Sequence, residues 1–212
     1  MAAGDKLVLF NGQGDEIEGR VENIFKNSVE VLVLNRKKAK KSLTRVILAC
    51  AIPKKAKFEF IIEKCTELGV DEIIPMRTAR TEVILKDDRQ LKKNTRYQAV
   101  AINAAKQSGR LTVPVVHPQR LFKDVLTMAP QNALRLIPSL IGERKSLKEV
   151  LKSTEHVDEI IYLIGPEGDF TAQEVEMALT AGFISVSLGQ TTLKVDTAAI
   201  MSVGFARLIL EE

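Results

Sequence analysis

The chain has few of the residues that build metal sites and disulfide frameworks. Among its 212 residues there are no tryptophans, two cysteines and two histidines. Cys50, Cys65, His117 and His156 are scattered along the chain, whereas structural zinc ligands recur at short, fixed intervals. We therefore expect no metal site and no disulfide framework.

Long apolar runs are absent as well. No run reaches the ~18 residues that a membrane-spanning helix needs. Residues 1–5, Met-Ala-Ala-Gly-Asp, lack the charged start and apolar block of a secretory signal peptide. The composition, 45% hydrophobic and 27% charged, is typical of a globular protein with one or two domains. We therefore expect a cytoplasmic protein with no membrane association.

Two glycine-rich turns each follow an apolar, strand-like run. Residues 160–164, Ile-Ile-Tyr-Leu-Ile, precede the turn at 165–168, and the run at 184–188 ends at Gly189. Ligands of open α/β sheets bind beyond the carboxyl ends of adjacent strands, where glycine lets the backbone approach them closely. The two turns therefore predict one ligand pocket. The phosphate-binding patterns G-x-G-x-x-G and G-x-x-x-x-G-K-[ST] are absent, which disfavours a nucleotide-dependent hydrolase.

A cluster of cations lies near the N-terminal end. Residues 36–45 contain no acid and six basic residues: Arg36, Lys37, Lys38, Lys40, Lys41 and Arg45. The net charge of the chain is +4. Such a stretch could neutralise several RNA phosphates, and the alternative is a solvated hairpin loop. We predict RNA contact.

The hydrophobic patterns divide the chain into two regions. Residues 6–10, 18–24 and 29–34 read as three short strands, the first two separated by an Asn-Gly turn at 11–12. From Val46 onward strand-like and helix-like segments alternate, which favours an α/β fold with a mainly parallel sheet. Thr171 and Glu174 form a capping-box pattern that predicts the start of a helix.

Four segments, taken in order, resemble a known family. They are residues 64–75 (Lys-Cys-Thr-Glu-Leu-Gly-Val-Asp-Glu-Ile-Ile-Pro), 103–110 (Asn-Ala-Ala-Lys-Gln-Ser-Gly-Arg), 164–170 (Ile-Gly-Pro-Glu-Gly-Asp-Phe) and 187–198, from Ser-Leu-Gly to Thr-Ala. These motifs are similar to those of the RsmE-type ribosomal RNA uridine-N3 methyltransferases of the SPOUT superfamily. The chain departs from the family pattern at Asp169, where glycine is usual, at Lys194, where arginine is usual, and at Asp196, where glutamate is usual.

The resemblance implies a fold, a reaction and partners. It implies a trefoil-knotted SPOUT methyltransferase domain at residues 46–212 and a PUA-like RNA-binding β-barrel, expected to be partial, at residues 1–45. The implied reaction is methyl transfer from S-adenosylmethionine to N3 of a uridine in 16S ribosomal RNA of the small ribosomal subunit. The implied assembly is a homodimer. A catalytically degenerate RNA-binding or ribosome-assembly protein of the same fold is the alternative that the three departures leave open.

The resemblance also implies roles for individual residues. The positions that match cofactor-binding positions of the family are Leu163, Gly165, Gly168, Leu188, Gly189 and Leu193. Lys194 and Arg110 match candidate catalytic cations. For the glycines the alternative is simple turn geometry, and for Arg110 it is a surface cation after a helix end.

Overall fold

The N-terminal region is a small antiparallel sheet. A computed structural model describes residues 1–38, 42–54, 57–83, 87–154 and 156–210 of the chain. Strands β1 (Lys6–Phe10), β2 (Asp15–Ile24) and β3 (Val29–Lys38) pair in the order β1-β2-β3. The three strands predicted from the alternation pattern are therefore confirmed. In the described ranges they form an open sheet, so the closed PUA-like barrel stays a prediction.

A second, larger sheet forms the centre of the molecule. Its strands are β4 (Arg45–Ala51), β5 (Glu72–Arg77), β6 (Val115–Val116), β7 (Arg120–Leu121), β8 (Leu134–Pro138), β9 (Lys145–Ser146), β10 (Glu159–Ile164) and β11 (Ile184–Ser187). Their order is β6-β5-β4-β10-β8-β11-β9, with β7 also pairing β5. Every pairing in this sheet is parallel. The α/β class with a parallel sheet is thus confirmed.

Helices cover both faces of the parallel sheet. They are α1 (Lys57–Glu67), α2 (Asp87–Ser108), α3 (Phe122–Met128), α4 (Leu147–Ser153), α5 (Ala172–Thr180) and α6 (Val195–Leu210). Alternate residues of β4 and β10 point to opposite faces: Leu48 and Tyr162 pack with α1, α2, α4 and α6, whereas Ala49 and Leu163 pack with α3 and α5. Strands buried on both faces explain the continuous apolar runs in the sequence.

The two sheets meet at the segment after α2. The backbone amide of Gly14 donates to Leu111 O at 3.1 Å, and the amide of Val113 donates to Gly12 O at 2.9 Å. β3 ends at Lys38 and β4 begins at Arg45, so the change from one sheet to the other lies between them. Arg45 itself belongs to the parallel sheet.

Three helix ends carry signals that the sequence contains. Thr171 and Glu174 form the predicted capping box, in which Thr171 Oγ1 accepts from the Glu174 amide and the Glu174 carboxylate accepts from the Thr171 amide. Gly69 and Gly182 follow helices with φ of 100° and 82°, the left-handed backbone that glycine adopts most easily. Cys50 and Cys65 are both buried and unpaired thiols.

The described residues contain neither a membrane-spanning helix nor a cluster of metal ligands. No helix in the described ranges is both long and apolar enough to cross a membrane. In the same ranges, no three histidine, cysteine, aspartate or glutamate side chains converge as metal ligands.

Candidate functional site

A cavity lies beyond the carboxyl ends of four neighbouring parallel strands. Its volume is about 410 Å³, which is within the range of small-molecule sites. Pro53 after β4, Leu140 after β8, Gly165 after β10 and Leu188 after β11 are among the residues that line it. Because all four strands point the same way, their following loops converge at one edge of the sheet.

The turn after β10 forms one wall of the cavity. A Cβ on Gly165 would come within 3.1 Å of the Phe170 ring and 3.4 Å of Asp169 Oδ1, so glycine is what allows the turn to fold back tightly. Asp169 has a φ of 59°, in the left-handed region where aspartate is tolerated better than most residues. Glycine, which the family resemblance places at this position, adopts this backbone conformation without a steric penalty.

The turn after β11 forms the facing wall. Gly189 has a φ of 137°, and a Cβ there would meet nothing within 4 Å, so its backbone borders open space. Ser187 Oγ donates to Gly189 O at 2.9 Å, which closes the turn. Leu188 and Leu193 add apolar surface on either side of it.

Four of the six predicted cofactor-binding residues line this cavity. They are Gly165, Leu188, Gly189 and Leu193. Leu163 does not line it, because its side chain is fully buried between the sheet and the α3–α5 layer.

Gly168 also lies off the described cavity wall. A Cβ on Gly168 would meet the Arg80 side chain at 3.3 Å, and Gly168 O accepts a hydrogen bond from Arg80 Nη1 at 2.5 Å. A side chain introduced at Gly168 would therefore press on Arg80 instead of filling the ligand space. Arg80 therefore supports this turn from outside the cavity. No sequence motif indicated this role for Arg80.

The two predicted catalytic cations lie at different edges of the sheet. Lys194 is exposed and lines the cavity immediately before α6. Arg110, after the end of α2, donates to Thr66 O at 3.0 Å and pairs with Asp71 Oδ1 at 3.1 Å. Asp71 immediately precedes β5, so Arg110 lies at the amino ends of the strands. Within one chain the structure does not bring Arg110 to the cavity.

Charged side chains that sequence reasoning missed also line the cavity. Lys57 and Arg144 do so, together with Asp196. Lys57 Nζ lies 3.5 Å from Asp196 Oδ2, and Arg144 Nη1 donates to Ser139 O at 3.2 Å. Only tertiary structure brings these positions together, because they come from α1, α6 and the loop after β8.

Burial excludes a nucleophilic role for the cysteine nearest this region. Burial raises the pKa of the Cys50 thiol well above its ordinary value, and the carboxylates Glu167 and Asp196 raise it further. A thiol with a raised pKa stays protonated near neutral pH, whereas the thiolate is the reactive form. Cys50 is a core residue at the end of β4.

The predicted basic cluster is divided between the two sheets. Arg36, Lys37 and Lys38 lie exposed on β3. Lys37 hydrogen-bonds and pairs with Glu18, which raises the pKa of Lys37 and lowers that of Glu18.

The remaining cluster residues do not all continue that strand. Arg45 begins β4 and pairs with Glu72 and, at 2.7 Å, with Glu159, so it lies on the parallel sheet and not on β3. Lys40 and Lys41 lie outside the described residues. RNA contact by the cluster stays a prediction.

The fold and the cavity by themselves define the class of protein. A parallel sheet between two helical layers, with one ligand cavity at the strand ends, is the arrangement of an α/β ligand-binding enzyme or a relative of one. Residues 39–207 match a family model described as an RNA methyltransferase domain.

Curated relatives narrow the class to a family. The chain is 30% identical over 205 residues to Ribosomal RNA small subunit methyltransferase E of Bacillus subtilis, covering 94% of this chain and 80% of the relative. It is 30% identical over 210 residues to the protein of that name from Rickettsia conorii, covering 99% and 83%. The chain belongs to the ribosomal RNA small subunit methyltransferase E family.

A solved structure extends the likeness to three dimensions. The crystal structure of a Ribosomal RNA small subunit methyltransferase E from Neisseria gonorrhoeae, bound to S-adenosyl methionine, superposes with a TM-score of 0.88 at 28% identity. The match covers 99% of this chain and 85% of that one.

Proposed function

We propose that this protein is an S-adenosylmethionine-dependent methyltransferase that methylates N3 of a uridine in small-subunit ribosomal RNA. The observation that carries the proposal is the cavity at the strand ends, whose two glycine turns face each other. Family membership and the cofactor bound to the Neisseria relative support it.

The residues of the cavity suit S-adenosylmethionine. Leu188 and Leu193 offer apolar surface for an adenine ring, and the open backbone at Gly189 leaves room for close approach of a ligand. Asp196 lines the same space, and a carboxylate suits a ligand that carries a sulfonium and an ammonium group. These residues would hold the cofactor, which when bound supplies an electrophilic methyl group.

The chain's own contribution to the reaction is orientation and charge. Transfer to uridine N3 requires loss of the N3 proton, which leaves negative charge shared with the neighbouring carbonyl oxygens. Among the described residues no carboxylate pairs with Lys194, so its ammonium is available on the cavity wall to stabilise that charge. A lysine supplies a point charge and lacks the two-pronged donor geometry of arginine. Because N3 lies on the base-pairing edge, the uridine must be unpaired when it enters.

The N-terminal sheet is proposed to bind the RNA. Arg36 and Lys38 extend along β3 into solvent, and their charge would neutralise backbone phosphates. We assign residues 1–45 to this RNA-binding, PUA-like region and residues 46–212 to the methyltransferase domain. We further propose the cytoplasmic location that a ribosomal RNA substrate requires.

The assembly and the path of the final segment are proposals as well. We propose that the turn after β11 and α6 form part of a trefoil knot, as the family resemblance implies. We propose a homodimer that associates through α6. The apolar surface of α6 supports the dimer.

Isothermal titration with S-adenosylmethionine tests the cofactor assignment. We expect saturable one-to-one binding per chain, with S-adenosylhomocysteine competing for the same site and ATP failing to compete. Binding of ATP with no binding of S-adenosylmethionine would overturn the proposal. Binding of RNA without either cofactor form would favour the degenerate RNA-binding alternative, which the replacement of arginine by Lys194 keeps open.

A further inference from the structure

Asp169 joins two walls of the cavity. It lies in the turn after β10, and its Oδ2 accepts a hydrogen bond from the backbone amide of Leu140, in the loop after β8, at 2.8 Å. β8 and β10 are adjacent parallel strands, so this bond connects the loops that leave neighbouring strand ends. Leu140 and Asp169 both line the cavity.

This hydrogen bond restrains the loop after β8 at Leu140. The Ser139 hydroxyl accepts from the Ile141 amide at 3.0 Å and lies 3.5 Å from Asp169 Oδ2. Leu140 is 53% exposed, so apolar packing of its own side chain restrains it little. Its neighbours are held by other contacts, Ser139 O by Arg144 Nη1 at 3.2 Å and Ile141 by packing against the core. The hydrogen bond to its amide is the restraint that acts on Leu140 itself.

The turn is built to accommodate this carboxylate. Asp169 adopts a φ of 59°, which disfavours most side chains but is tolerated by aspartate and asparagine. Gly165 lacks a side chain where Asp169 Oδ1 lies, 3.4 Å from an ideal Cβ position. Glycine at position 169 would relieve the backbone conformation but would leave the Leu140 amide without this acceptor.

We propose that Asp169 is a positioning residue that acts through Leu140, fixing the loop after β8 so that the cavity is preorganised for S-adenosylmethionine. The inference rests on the proposed cofactor. Its distinctive consequence is that stability and cofactor affinity respond oppositely to glycine at this position. Glycine relieves the steric cost of the left-handed conformation, which favours the folded protein. Loss of the hydrogen bond to the Leu140 amide lets the loop after β8 leave the conformation that binds the ligand, which lowers affinity.

Three substitutions separate the hydrogen bond from the backbone conformation and from the charge. Asp169→Asn keeps an acceptor oxygen and the tolerance for positive φ but loses the charge. Asp169→Gly keeps the conformation and loses the acceptor. Asp169→Ala loses both the acceptor oxygen and the tolerance for positive φ. Glu176→Ala, on the exposed face of α5, controls for removal of an acid elsewhere.

The affinity and stability of the full-length variants form the test. We expect Asp169→Gly to weaken S-adenosylmethionine binding by about 10-fold or more, with an unchanged or higher thermal midpoint. Asp169→Asn should bind within about threefold of the parent. Asp169→Ala should lose both affinity and thermal stability.

Hydrogen exchange supplies a readout that needs no cofactor. In the unliganded protein the Leu140 amide should be protected in the parent and in Asp169→Asn, and it should exchange faster in Asp169→Gly. Equal cofactor affinities of the parent and Asp169→Gly would overturn the inference. Equal losses of affinity in Asp169→Asn and Asp169→Gly would assign the effect to the charge of Asp169 and would also overturn it. A parent that binds no S-adenosylmethionine refutes the proposed function, whereas the Leu140 exchange still reports on the restraint.

Discussion

Lys194 is the residue on which the proposed chemistry depends most. It lines the cavity beside the apolar Leu193, and it stands at the position where the sequence departs from the arginine of related proteins. Lys57 and Arg144 also carry positive charge on the cavity wall, and each has a partner there, the Asp196 carboxylate and Ser139 O. Among the described residues, no carboxylate pairs with Lys194. Substitutions can therefore separate cofactor binding from methyl transfer.

Replacing Lys194 should impair transfer without impairing cofactor binding. We expect Lys194→Ala to lower kcat for RNA methylation by ~100-fold or more, the scale of losing one preorganised charge or donor. Cofactor affinity should stay within a few-fold, and Lys194→Arg should keep or raise activity. Single-turnover kinetics with labelled cofactor measure these effects, with the exposed Lys148→Ala on α4 as control. A parental rate in Lys194→Ala would show that Lys194 is only a surface cation.

A substitution at Gly189, in contrast to one at Lys194, should impair cofactor binding. Gly189→Ala places a methyl group in the space beside the cavity, at a φ of 137°. We expect S-adenosylmethionine affinity to fall by about 10-fold or more. Gly109→Ala is a matched control, because its φ is 70° and its Cβ would also meet nothing within 4 Å, but it lies at the opposite edge of the sheet. Equal affinities of the two variants, measured by calorimetry, would remove Gly189 from the site.

At the scale of elements, an ion network joins α6 to the loop before β5. Asp71 accepts from Arg110, from Arg207 of α6 and from the Val46 amide. Arg207 and Arg110 are 10% and 14% exposed at their side chains. Arg207 also donates to Gly69 O at 3.1 Å. The network fixes the final helix against the amino ends of the central strands.

Removal of Asp71 should destabilise the fold strongly. Asp71→Ala leaves two mostly buried guanidinium groups without their carboxylate, so we expect the free energy of unfolding to fall by about 3 kcal/mol. Asp158→Ala is the control, because its carboxylate is 87% exposed and pairs only with His156 among the described residues, and we expect it to cost under about 1 kcal/mol. Urea denaturation compares the two. Equal midpoints would mean that the network adds nothing to stability.

The sequence predicted elements better than it predicted contacts. The Asn11-Gly12 turn and the capping box at Thr171 are local signals, and each marks a boundary that the structure has. The helix α3 and the two-residue strands β6, β7 and β9 were missed, because such short elements are defined by their neighbours.

The candidate site was predicted only in part, because sequence signals are local and contacts between distant segments are not. Turn glycines identified two walls of the cavity, because their backbone requirement is local. The strand alternation that buries Leu163 on the face away from α6, and the contact of Gly168 with Arg80, depend on how distant segments pack. The family resemblance indicates Arg110 as a candidate catalytic cation, whereas its hydrogen bonds to Thr66 and Asp71 are apparent only from the fold.

At the scale of the whole molecule, α6 leaves apolar surface that one chain does not cover. Ile200, Met201 and Phe205 are only partly buried, and Leu208 is 71% exposed. Partly exposed apolar side chains along one helix are typical of an interface. This surface supports the proposed homodimer.

Sedimentation velocity tests the dimer. We expect a species of twice the 23.5 kDa chain mass at micromolar concentration. Leu208→Glu should shift it toward monomer, because a buried unpaired charge disfavours association. Leu91→Glu on α2, where the leucine is 74% exposed, should not. A parental monomer at this concentration contradicts the proposal.

The most direct test of the central claim is identification of the methylated nucleoside. The purified protein would be incubated with S-adenosylmethionine carrying an isotopically labelled methyl group and with small ribosomal subunits from a strain that lacks this enzyme. The ribosomal RNA would then be digested and analysed by mass spectrometry. The account predicts labelled N3-methyluridine at one site, with loss of the label in Lys194→Ala. Label in any other nucleoside, or none from a parental protein that binds the cofactor, would contradict it.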